Sequence, residues 1–261
     1  MQISQLPTNT LYIMFSLIIT YFAVRFIIKR INFNYKEMKL VNIKHSAIIS
    51  LIVVSSIIII MCPLILIFIK IFIVNQMKVD EDSGTGLIIY IIIAILEIMP
   101  VMVLAALRKE RLSSLGITKN NIFKSIFIGL ISYLLFFLCI VIIKHKFKYV
   151  VIPQFSFSIW SLMNCFFTAL GEEIIFRGYV QYRLTEWLGD KKGLISLALI
   201  FSFSHIFQRI LLGNMNAINI FVSLIGILPG ALFMGYLFLK CKNIASTTIF
   251  HTFYDFFNNY I

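Results

Sequence analysis

The sequence predicts an all-α protein, a polytopic transmembrane helix bundle of about eight spans whose polar motifs lie on the C-terminal four helices. Three observations predict it. Of 261 residues, 60% are hydrophobic and 13% charged, with a mean hydropathy of +0.96, whereas soluble domains carry roughly 25% charged residues because water must accept their surface. The apolar residues gather in runs of about 20, the length at which a helix crosses the hydrocarbon core. The few acids and histidines inside those runs are spaced as neighbours on helices.

Eight spans are expected, at 11–28, 47–73, 87–107, 122–143, 155–176, 194–212, 216–239 and 243–261. The first follows MQISQLPTNT, which lacks a basic residue and is not followed by a small-residue cleavage site, so it reads as a retained anchor. The second contains Cys62-Pro63 and is long enough to tilt or kink. The third carries Glu97 and Pro100. The fifth and eighth are the weakest by hydropathy, because Glu172, Glu173, His251 and Asp255 sit inside or at the end of them. Residues 1–150 thus supply four spans and 151–261 another four. With no linker, repeat or low-complexity tract between them, one integral bundle is expected. The four cysteines, Cys62, Cys139, Cys165 and Cys241, stand singly in apolar stretches and read as small hydrophobes.

A net charge of +12, from 23 Lys and Arg against 11 Asp and Glu, would suggest a nucleic-acid surface in a soluble protein. In a membrane protein it orients the spans, since basic residues stay on the cytoplasmic side. Lys29, Arg30, Lys36, Lys39 and Lys44 fall in the first connection, and Arg108, Lys109, Arg111, Lys119 and Lys124 in the third. Arg177, Arg183, Lys191 and Lys192 follow in the fifth, with Lys240 and Lys242 in the last. The other side has fewer: Lys78 in an acidic loop with Asp80, Glu81 and Asp82, then Lys144, Lys146, Lys148 and Arg209. An N-out, C-out bundle in the plasma membrane follows, partnered by the bilayer and not by nucleic acid.

A charge near mid-bilayer costs on the order of 2.5–3.5 kcal/mol even on lenient scales, so each one needs a partner or a purpose. The ionisable groups fall in three segments: Gly171-Glu172-Glu173-Ile174-Ile175-Phe176-Arg177-Gly178, Phe201-Ser202-Phe203-Ser204-His205 and His251-Thr252-Phe253-Tyr254-Asp255. Glu173 and Arg177 are i and i+4 on a helix and can pair, which leaves Glu172 about 100° away and free for another task. Taken alone, this triplet reads equally well as a salt bridge at a helix end, and His205 as a hydrogen-bonded core histidine. His251 and Asp255, again i and i+4, let a carboxylate orient an imidazole. Depth unites the three segments. At about 1.5 Å per residue, Glu172 falls roughly 25 Å from the outer end of its span, and His205 and His251 roughly 16 Å and 12 Å from the cytoplasmic ends of theirs. A shared polar cavity toward the cytoplasmic side is expected.

A glutamate and a histidine flanking a water can take its proton and return it to a leaving amine, while a second histidine and a polar neighbour stabilise the oxyanion. No G-x-S-x-G nucleophile and no H-E-x-x-H motif is present. Glu172, His205 and His251 also match a His₂Glu zinc set, so glutamate-type and zinc-assisted hydrolysis both remain open on the residues alone.

Glu172-Glu173-x-x-x-Arg177, Phe201-x-x-x-His205 and His251-x-x-x-Asp255, in that order on successive hydrophobic helices, resemble the three motifs of the CPBP intramembrane protease family. That family includes CAAX prenyl endopeptidases, bacteriocin-processing and self-immunity proteins, and the Abi group. The resemblance covers about 155–261, strengthened by the run from Gly171 to Arg183; residues 1–150 match only as extra hydrophobic helices. It implies that Glu172 is a general base working with His205, that Glu173 and Arg177 hold the site, and that His251 and Asp255 form an oxyanion-stabilising or orienting pair. The family accepts Asn or Asp at the last position. Asp cannot donate a hydrogen bond unless protonated, so orienting His251 is the role expected of Asp255. The resemblance favours the glutamate mechanism, with no cofactor, over the zinc one.

The expected activity is cleavage of a peptide bond in a membrane-embedded or membrane-bound peptide or protein. The alternatives are a non-catalytic Abi-type scaffold or bacteriocin self-immunity protein, and a transporter relaying protons through Glu97 and Asp255. Missing inverted hydropathy symmetry weighs against the transporter. Usage rich in Ile, Lys, Asn and Phe points to an AT-rich bacterial genome. Leader-peptide or bacteriocin processing, signal-peptide maturation or self-immunity is therefore favoured over prenyl-protein trimming.

Overall fold

The computed structural model describes residues 6–34, 40, 42–68, 71, 80, 82–146, 157–211, 213 and 215–258. Among the expected charges, Lys36, Lys39, Lys78, Glu81 and Lys148 lie outside them. The described residues form helices and contain no strand. In chain order the helices are α1 (Leu6–Ile28), α2 (Ile43–Phe68), α3 (Gly84–Leu107), α4 (Ile122–Lys146), α5 (Ile159–Leu188), α6 (Asp190–Ser204), α7 (Ile206–Leu211), α8 (Ala217–Cys241) and α9 (Ala245–Asn258). Seven stretches are long and apolar enough to cross a membrane, with α6 and α7 together making one of them, Asp190–Leu211. Their outer faces carry large apolar side chains in helical register, as at Leu11, Phe15, Ile18, Phe22 and Phe26 on α1. That surface suits lipid.

Where the chain departs from the expected spans, the polar residues explain it. The fifth was expected to end at 176, but α5 runs unbroken to Leu188 over 30 residues. Hydropathy stops at Phe176 because Arg177, Gln181 and Arg183 follow, yet all three side chains are completely buried and held internally. Gln181 donates through Nε2 to the Gly235 carbonyl at 2.8 Å. Arg183 donates to Ser46 Oγ at 3.1 Å and to the Tyr179 carbonyl at 2.8 Å, pairs with Glu110, and lies 3.9 Å over the Tyr179 ring. Arg177 and Arg183 therefore do not belong to a basic connection, and the orienting charge bias rests on the remaining lysines and arginines. Glu172 correspondingly lies near the middle of α5, about 20 Å from Ile159 and about 24 Å from Leu188, instead of close to one end.

Within α5, Glu173–Gln181 adopts the wider π-helical turn, and every residue of it is buried. Such turns are rare and cluster at functional sites. Gly178 lies on this segment against the short 3₁₀ turn Leu112–Leu115; a Cβ there would fall 2.0 Å from the Leu115 carbonyl oxygen, so only glycine allows the crossing. The span expected at 194–212 is broken, α6 ending at Ser204 and α7 starting at Ile206.

The eighth expected span, 243–261, appears as α9, whose 14 described residues reach about 21 Å, short of the roughly 30 Å hydrocarbon thickness. It packs inside the bundle against α4, α5 and α8. Asn243 anchors its start: Oδ1 accepts from the Ala245 N–H at 2.9 Å while Nδ2 donates to the Thr118 and Asn120 carbonyls at 2.7 and 3.0 Å. Close to Gly129 of α4, where a Cβ would meet the Ser246 carbonyl oxygen at 2.6 Å, the two backbones touch. These contacts fix the level of His251 two turns further along.

Candidate active site

The α5 motif and α9 meet at His251. Its Nδ1 lies 2.9 Å from Glu173 Oε1, and since a carboxylate can only accept, Nδ1 carries the hydrogen. Its Nε2 lies 3.3 Å from Asp255 Oδ2 and 3.9 Å from Glu172 Oε2. The imidazole is therefore bracketed by three carboxylates, two from α5 and one from its own helix. Glu173 is completely buried and pairs through Oε1 with Arg177 Nη1 at 3.1 Å. Arg177 is equally buried, and its guanidinium lies 4.0 Å over the Phe201 ring, a cation–π contact that supplements a single ion pair. Glu172 keeps a side-chain exposure of 22%, and its Oε2 has no hydrogen-bond partner among the described residues. The i, i+4 pairings expected for Glu173 with Arg177 and for His251 with Asp255 are both present in the geometry, and Glu172 faces His251 as well.

His205 reaches the same place by another route. It is the residue at which α6 ends, and its own N–H turns back to the Ser202 carbonyl, leaving the Phe201 carbonyl unclaimed by the helix ladder. The imidazole takes that carbonyl through Nδ1 at 2.9 Å, with Ser204 Oγ on the same oxygen at 2.7 Å. A carbonyl only accepts, so Nδ1 is the protonated nitrogen of the neutral ring and Nε2 keeps its lone pair. His205 and Glu172 make no hydrogen bond or ion pair with each other. Phe201 joins the halves: its ring packs edge-on to His205 with centroids 4.9 Å apart and to His251 at 6.1 Å, and it lies beneath Arg177.

Glu97, which the sequence singled out only as a transporter relay, belongs beside this site. On α3 it stands between Ala94 and Val101 on the stripe that packs against α5, and its carboxyl is close enough to Glu172 for their charges to repel. Ala94 and Ile98 flank the position a Cβ would take on Gly171, the residue before Glu172. Only the fold brings this part of α3 alongside α5, so no spacing signal announces Glu97.

Among the described residues no group of three or more His, Cys, Asp or Glu, the set Glu172, His205 and His251 included, is gathered closely enough to hold a metal ion.

Residues 153–257 match a protein-family model described as type II CAAX prenyl endopeptidase Rce1-like. This C-terminal stretch is similar to that family. The matched range takes in all three motifs, agrees with the CPBP resemblance, and supports an intramembrane protease activity for a multi-pass membrane protein. Comparison with curated proteins and comparison with solved structures returned no match. The Rce1-like region comprises α5 to α9, with α3 contributing Glu97 from outside it.

Proposed function

We propose that the chain is an intramembrane endopeptidase that hydrolyses a peptide bond of a membrane-associated peptide or protein with a water activated by Glu172 and His205. The observation that carries this reading is the set of polar contacts around His251, in which buried Glu173 is neutralised by Arg177 while Glu172, one residue away, keeps a partly exposed side chain whose Oε2 faces His251 without a hydrogen-bond partner among the described residues. Glu172 takes a proton from the water as its oxygen attacks the carbonyl carbon. His205, with Nδ1 tied to the Phe201 carbonyl, presents Nε2 to the same water and helps return the proton to the leaving amine. His251, oriented by Glu173 and Asp255, faces the oxygen on which negative charge develops. No step requires a metal, and a chelator is expected to leave turnover unchanged.

Substrates of the leader-peptide or bacteriocin class fit the composition argument, while the Rce1-like match adds peptides ending in a CAAX-type sequence. The basic connections favour an N-out orientation. The test compares the peptides of membranes with and without the gene, repeated with Glu172→Ala and His205→Ala. Both variants, present at normal abundance, are expected to lose processing. Continued processing by both contradicts the catalytic reading and favours a non-catalytic scaffold. Activity lost to chelation and restored by stoichiometric zinc contradicts the metal-free mechanism.

A further inference from the structure

We infer that Glu97 is a positioning residue of this site, donating a hydrogen bond from its protonated carboxyl to the carboxylate of Glu172. The inference rests on the hydrolytic reading above. α3 and the first half of α5 pack along their length. At their starts, a Cβ on Gly84 would stand 3.7 Å from the Trp160 ring. Further along both helices, the Cβ position of Gly171 lies 3.6 Å from Ala94 Cβ and 3.8 Å from Ile98 Cγ2. The two helices therefore run parallel. Counted from Ala94 and Gly171, the backbones of Glu97 and Glu172 differ in level by only about 3 Å.

Helical period then sets the flank to which each side chain projects. Viewed from the N-terminal ends, Glu172 is turned about 100° clockwise from Gly171, and Glu97 about 60° anticlockwise from Ala94. On parallel helices that face each other, these opposite rotations lead to the same flank of the contact. By the same count Leu170, Ile174 and Ile98 project to the other flank. They are found together there, with Ile98 and Leu170 packed against the apolar cluster that contains Ile174. The apolar flank thus fixes the register independently and leaves the two acids side by side.

Neither helix offers this pair a free cation. α3 contains no Lys or Arg, and Arg177 of α5 is committed to Glu173. His251 already faces Glu173 and Asp255. Two neighbouring carboxylates within the membrane are costly without a counter-charge, and one proton held between them removes the conflict. In the hydrolytic reading Glu172 is the ionised base, so that proton belongs to Glu97. Oε2 of Glu172 is buried without a hydrogen-bond partner among the described residues and is an acceptor open to such a donor. A neutral donor at this point restrains rotation of the Glu172 carboxylate and adds no charge to the site.

The experiment uses the full chain in phospholipid vesicles, with a fluorogenic farnesylated peptide ending in a CAAX sequence as the probe. Glu97→Leu keeps the bulk and removes the donor. It is expected to lower kcat roughly tenfold with KM little changed, while melting no lower than the parent in detergent. Glu97→Gln, which keeps a neutral donor, is expected to recover most of that loss. A Glu97→Leu variant equal to the parent, or a Glu97→Gln variant as slow as Glu97→Leu, overturns the inference. Glu172→Ala separates the two readings: if it is inert while Glu97→Leu is fully active, the hydrolytic reading stands and this one fails. If Glu172→Ala cuts the probe, the hydrolytic reading fails, and the positioning role with it. Infrared spectra of the chain need no substrate. At neutral pH the parent is expected to show a protonated-carboxyl band that Glu97→Gln abolishes and Glu172→Ala shifts. A band unaffected by Glu97→Gln, or unmoved by Glu172→Ala, overturns the hydrogen bond.

Discussion

Glu172 and Glu173 are adjacent in sequence and opposite in circumstance, which makes their substitutions a clean contrast. Removing the charge of Glu173 leaves Arg177 buried without its anion, and breaking one side of a buried pair costs about 3–5 kcal/mol. Glu173→Gln is therefore expected to lower the melting temperature and the membrane abundance of the chain. Glu172 is partly exposed and makes no hydrogen bond through Oε2. Glu172→Gln is expected to melt like the parent and to lose processing. Thermal melting in detergent beside a processing assay separates the two. The i, i+4 pairs within α5 and α9 were legible because helical spacing alone makes those residues neighbours. The contact of Glu173 with His251, across 78 positions, was not, and neither was the approach of Glu97 to Glu172.

α5 shows how far pattern reading of an element reaches. Its existence and its apolar first half follow from composition, but its second half does not, because Arg177, Gln181 and Arg183 look like a solvated connection until their buried partners are seen. Hydropathy records the side chain and not the company it keeps. The break at His205 was hidden because the run 194–212 as a whole reads as one continuous helix, and only the carbonyl taken by the imidazole reveals the end of α6. The π-helical segment has no signature in its residue spacing, yet its glycine supplies a test. Gly178→Ala drives a methyl group into the Leu115 carbonyl, and overpacking of this kind costs about 1–3 kcal/mol, more where backbone must move. A lower melting temperature is expected. Unchanged melting means that α5 and the 3₁₀ turn do not cross as described.

For the whole molecule, composition alone carried the class: 13% charged residues cannot cover a water-soluble surface of this size, and the seven apolar helices follow. The length of α9 was less accessible, because the run 243–261 is long enough to count as a span although the helix packs inside the bundle against α4, α5 and α8. Once Arg177 and Arg183 are removed from the connections, Lys109 and Lys191 still mark the basic side. Cysteines introduced at these two positions are expected to react with a membrane-impermeant thiol reagent in inside-out vesicles and not in intact cells; the reverse pattern inverts the bundle. The account as a whole stands on one carboxylate. Comparing peptide release from membranes holding equal amounts of the parent chain and of Glu172→Ala measures it directly. The account predicts a peptide product with the parent and none with the variant, and the same product from both would contradict it.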